Sequence, residues 1–129
     1  MSMEFTLGKE ERLKSNLSIQ GLLKRGKAVS SFPLKIYWDY SPDPHQKYAV
    51  RAAITVPKRK FKRAVDRNLM KRRIREAYRL NKNMLYETLD QRNQKIQLII
   101  LLLSDEFIPY NQLEKGMREI LLQLMNKLS

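Results

Sequence analysis

Arg67, Asn68, Lys71, Arg72 and Arg75 recur at steps of one, three and four residues, the spacing of side chains that share a helix face. Four of the five are cations. Three are arginines, whose planar guanidinium can bond two phosphate oxygens at once. Asn68 adds no charge, but its amide can bond a sugar hydroxyl, a phosphate or a base edge. Just upstream, Lys58, Arg59 and Lys60 extend the basic run. A second set lies on two predicted strands, where Lys35, Tyr37, Arg51, Ala53 and Thr55 share a face that is small in the middle and basic at its rim. An aromatic ring for a base and cations for the backbone suit a single-stranded nucleic acid.

This is chemistry of binding. His45 is the sole histidine and there is no cysteine, so neither a metal-ligand set nor a thiolate nucleophile can be assembled from them. Asp66 and Glu76 read as counter-charges on the basic helix, and the four glycines do not form a phosphate-cradling loop. No residue is assigned to catalysis or to a metal, and the polypeptide is not expected to cut RNA by itself.

The charge distribution agrees. The 129 residues carry 26 Lys and Arg against 13 Asp and Glu, a net +13. Residues 58–82 hold twelve basic and two acidic side chains, so +10 of that excess sits in one stretch. A concentrated excess points to a docking face for a polyanion. A 43% hydrophobic content suffices for one packed core, and one domain is all that this length needs. No apolar run is long enough to span a bilayer, so no membrane partner is expected. Together with the absent cysteines and signal core, that fits a cytoplasmic protein.

The elements that must position these residues follow from periodicity. Residues 1–11 read as a flexible tail, and residues 12–129 as a single RNA-binding domain. A short helix is predicted over 17–24, capped by Ser15 or Asn16 and closed by Gly26. Residues 34–40 alternate as a strand, with Leu34, Ile36, Trp38 and Tyr40 on the face opposite Lys35, Tyr37 and Asp39. After the Ser41-Pro42-Asp43-Pro44 turn, alternation resumes over 47–56. Residues 64–81 turn helical, with a break near Asn81-Lys82-Asn83 before a continuation to Leu89. On a wheel of about 100° per residue, Arg67, Lys71, Arg75, Asn68, Arg79 and Arg72 fall within an arc of about 140°. Leu69, Leu80, Ala77, Met70, Ile74 and Tyr78 are read as most of the other side, with Arg73 snorkelling among them. Residues 95–103 form a strand covered on both faces. A final amphipathic helix covers 110–128. The fold class is α+β: a single sheet of about four strands backed by helices, in the order α-β-β-(β)-α-β-α.

The run Arg67-Asn68-Leu69-Met70-Lys71-Arg72-Arg73-Ile74-Arg75 resembles the RNR signature of the protein subunit of bacterial ribonuclease P. The likeness extends to Arg12-Leu13, to Leu23-Lys24-Arg25-Gly26-Lys27, to Val56-Pro57-Lys58-Arg59-Lys60 and to Ala64-Val65-Asp66. It implies an accessory protein to a catalytic RNA that removes the 5′ leader of precursor tRNA. It implies that Arg67, Asn68, Lys71, Arg72, Arg75 and the Lys58-Arg59-Lys60 run contact that RNA. The leader would lie in a cleft between the first helix and a sheet face, with Tyr37 its aromatic and Ile19 and Leu23 where many relatives carry phenylalanines. It also implies one protein per RNA, Mg2+ in the RNA–protein holoenzyme with no cofactor bound by the protein alone, and a left-handed β-α-β crossover in place of the usual right-handed one. The alternative is a ribosomal or other structural RNA-binding protein with no role in tRNA processing.

Overall fold

The structure, a computed structural model, describes residues 9–128. Its elements are α1 (Asn16–Arg25), β1 (Lys27–Ser31), β2 (Leu34–Tyr40), β3 (Val50–Thr55), α2 (Ala64–Asn81), α3 (Asn83–Gln91), β4 (Ile96–Leu102) and α4 (Tyr110–Lys127). One sheet runs in the order β1-β2-β4-β3; β3 and β4 are parallel and the other pairs antiparallel.

The alternation of β2 decides the layering. Leu34, Ile36 and Trp38 are fully buried and face the main core, while Lys35 and Tyr37 are half-buried on the other side. In the register, Trp38, Leu98 and Ala52 form one row across the sheet, and Tyr37, Ile99 and Ala53 form the next. The first row packs on Met70, Ile74 and Tyr78 of α2, Leu85 and Leu89 of α3, and Leu113 to Leu124 of α4. The second row packs with Leu13, Ile19 and Leu22 under α1. Because β4 lies between the two layers, all of Ile96 to Ile100 is buried, Gln97 included, as its almost continuous apolar run requires.

α1 starts at Ser15, whose Oγ accepts from Ser18 N–H at 3.3 Å, and ends at Gly26. The Gly26 N–H donates to the Leu22 carbonyl at 2.8 Å, and a Cβ there would lie 2.5 Å from that oxygen, so only glycine fits.

Three expectations need correction. Lys9–Glu11, expected in a flexible tail over 1–11, form a 3-10 turn with Glu11 buried, and residues 1–8 lie outside the described residues. Leu13 N–H then donates to Ala52 O at 2.9 Å, and Arg12 bridges Ala52, so this segment adds to the free edge of β3. Second, the optional strand in the expected order is β1, to which no residue range was assigned. Lys-Ala-Val-Ser-Ser buries only Val29, too little apolar content for an alternation to register. Third, the buried stripe of α2 is Met70, Ile74, Ala77 and Tyr78; Leu69 is half-buried and Leu80 is 47% exposed. At about 100° per residue, Ile74 and Tyr78 flank Arg67 at about 20° on either side, so Arg67 sits at the core margin.

Candidate nucleic-acid interface

Position on α2 decides what each basic side chain can do. Asn68, Arg72 and Arg75 are exposed and Lys71 is half-buried. None of the four makes a side-chain hydrogen bond or ion pair with the described residues. Arg67 differs. From the core margin its Nη1 donates to the carbonyls of Phe61 at 2.8 Å and Lys62 at 2.9 Å. It therefore braces the loop that carries Lys58, Arg59 and Lys60. Phe61 anchors the same loop from below, buried edge-on against Phe107 at 5.3 Å. Lys58 and Arg59 are exposed, and Lys60 Nζ donates to Leu103 O at 3.2 Å. Arg73 points the other way, its Nη1 donating to Ile108 O at 2.9 Å, which accounts for a cation among apolar positions. Arg79 is clamped to Glu76, with Nε to Oε2 at 3.0 Å.

Lys71, Arg72, Arg75 and Arg79 form one wall of a groove of about 690 Å³. Ala52, Ala53 and Thr55 line it on β3, and Arg12, Leu13, Lys14 and Ile19 close the far side. The basic helix face and part of the predicted cleft thus belong to one depression. Its floor is small and neutral, and its walls carry cations on both sides.

The predicted cleft residues divide. Ile19 and Thr55 line this groove. Arg51 lines a second groove across the 12–14 ridge, and its Nη1 pairs with Asp43 at 3.1 Å. The His45 backbone N–H at 2.8 Å, followed by the Arg51 charge, holds the Asp43 carboxyl below the usual carboxylate range. Tyr37 packs under α1 with Leu13, Ile19 and Ala53, and Lys35 Nζ lies 4.8 Å from its ring centre. Leu23 stands exposed on α1. Sequence reasoning assigned no cleft role to Arg12 and Lys14, because a bridge to Ala52 forty residues away leaves no local periodicity. The Arg12-Leu13 pair was the one signal available.

A family model described as Ribonuclease P matches residues 7–125. The chain belongs to the ribonuclease P protein family. The ribonuclease P protein component of Porphyromonas gingivalis is 33% identical over 120 residues, covering 93% of this chain and 87% of that protein. That of Chlorobaculum tepidum is 45% identical over 65 residues, half of this chain and 42% of its own length. Among solved structures, the Staphylococcus aureus RNase P protein superposes with a TM-score of 0.69 at 22% identity, covering 88% of this chain and 94% of its own. The Thermotoga maritima RNase P protein gives 0.63 at 22% identity, over 92% and 98%. Those superpositions establish the α+β fold. Family membership makes this chain an RNA-binding accessory subunit of a ribonucleoprotein endoribonuclease that acts in tRNA 5′ processing, with ribonuclease P RNA as its partner. Among the described residues, no helix is long and apolar enough to cross a membrane.

Proposed function

We propose that the chain divides its two RNA contacts between the outer face of α2 and the groove beside it. Asn68, Arg72, Arg75 and the Lys58-Arg59-Lys60 loop dock on ribonuclease P RNA, with Arg67 holding that loop in place. The 5′ leader of precursor tRNA lies in the groove, between the α2 cations and Ile19, its backbone passing over Ala53 and Thr55. The observation that carries this reading is the groove itself: a neutral floor of small side chains between two basic walls. Tyr37 and Leu23 act through α1, the first by seating it and the second at its exposed surface. Lys35 and Arg51 supply positive charge at either side.

Among the described residues the groove holds one carboxylate, Glu76, already paired with Arg79. Among the described residues no three His, Cys, Asp or Glu side chains stand together as a metal site. In this reading Mg2+ of the holoenzyme takes its ligands from RNA phosphates, and the protein contributes fixed positive charge nearby. One protein serves each catalytic RNA, and the complex works in the cytoplasm. The test is reconstitution with ribonuclease P RNA at limiting magnesium. Adding the protein should raise precursor cleavage and lower the magnesium required; an unchanged requirement would contradict the reading.

A further inference from the structure

The segment at residues 12–14 is a ridge with a depression on each side. The second depression, about 730 Å³, is lined by Lys9, Lys14, Lys47, Tyr48 and Arg51 among others. Tyr48 is 40% exposed and sits in neither hydrophobic cluster, unlike Tyr37. Lys47 Nζ lies 5.6 Å from the Tyr48 ring centre and pairs with Glu10 at 3.0 Å. Hydroxyls of Ser15 and Ser18 line the same depression. The composition is that of a base-stacking platform with backbone cations around it, not that of a packing surface. Arg12, Leu13 and Lys14 line both depressions, so the two adjoin across the ridge.

We infer that this second depression is a further subsite for single-stranded RNA, in which a leader nucleotide beyond those held in the first groove stacks on Tyr48. Lys14 and Arg51 then flank the backbone, and Lys47 exchanges Glu10 for a phosphate. Exchange of one exposed ion pair for another costs little, because such pairs contribute about 0–1 kcal/mol. The inference rests on the leader lying in the first groove.

The experiment measures holoenzyme affinity for precursors whose leaders lengthen one nucleotide at a time, for the unmodified protein, Tyr48→Ala and Tyr48→Phe. Tyr48→Ala should lower the ratio of long-leader to short-leader affinity about tenfold, the worth of a base–aromatic stack, with the drop appearing at a threshold length. Tyr48→Phe keeps the π face and should keep the ratio. A ratio unchanged in Tyr48→Ala, or a loss equal at every length, overturns the subsite. Thr55→Glu, read with the shortest leader, separates the two levels. If it weakens binding while Tyr48→Ala leaves the ratio alone, the first groove stands and the second subsite falls. If Thr55→Glu also has no effect, both fall together.

Discussion

Glu11 and Lys82 lie 71 positions apart in sequence and 2.7 Å apart in space, each side chain less than a tenth exposed. Tyr86 OH donates to the same carboxylate oxygen, and Tyr78 OH lies 3.4 Å from Tyr86 OH. Lys82 occupies the break between α2 and α3. The pair therefore ties the start of the groove ridge, at Arg12 to Lys14, to the end of the helix that forms the opposite wall. A loose N-terminal segment would leave the groove with only one side.

Lys82→Met removes the ammonium that sits against the buried Glu11 carboxylate, which should cost about 3–5 kcal/mol in urea unfolding. Combining it with Glu11→Leu should cost much less than the sum of the two single changes, since both remove the same buried ion pair. Additive losses would show that the two residues stabilise the fold independently.

Burial, aided by the neighbouring hydroxyl and by Glu11, pushes the Tyr86 phenol well above its ordinary value; burial does the same to Tyr78. Raised folded-state values mean that this stability is present below the unfolded value, about 10, and is lost as pH rises past it. Each such tyrosine contributes a decline of about 1.4 kcal/mol per pH unit there. Tyr86→Phe should lower stability at neutral pH but flatten the decline between about pH 10 and 12, measured by urea unfolding. A slope equal to that of the unmodified chain would contradict the burial argument.

Arg72 and Asn68 are neighbours on the docking face with different physics. Arg72→Ala should reduce the salt dependence of affinity for ribonuclease P RNA by about one phosphate's worth of released counterions. Asn68→Ala should weaken binding by about 1 kcal/mol with the salt slope unchanged, because it removes a hydrogen bond and no charge. Filter-binding titrations over a salt series check both. Unchanged affinity for both variants would take this face out of the interface.

What the sequence made legible was local. The helix over 64–81 and its break at Lys82 follow from residues three and four apart, and β2 and β4 from alternation and an almost continuous apolar run. Assignment of Tyr78 to the side opposite the cations followed residue type more than angle, since it lies about 20° from Arg67, and it obscured the position of Arg67 at the core margin. The ridge at 12–14 was invisible for another reason. Its conformation comes from Ala52 on the edge of β3 and from Lys82 beyond α2, contacts that no window of neighbouring residues contains. The same nonlocality hid the meeting of the basic helix and β3 in one groove, although Arg72 and Thr55 had each been singled out.

The central claim, that this groove holds the 5′ leader, is tested by one ratio: holoenzyme affinity for precursor tRNA over that for mature tRNA, with Thr55→Glu in place. Thr55 is exposed on the groove floor, so the change leaves the core intact and places a carboxylate against the leader phosphates. Contacts to the tRNA body are common to both ligands and cancel. Like-charge repulsion of about 1–2 kcal/mol at a partly shielded site predicts a ratio about tenfold lower, with mature tRNA binding nearly unaltered. An unchanged ratio, or equal losses for both ligands, would contradict the account.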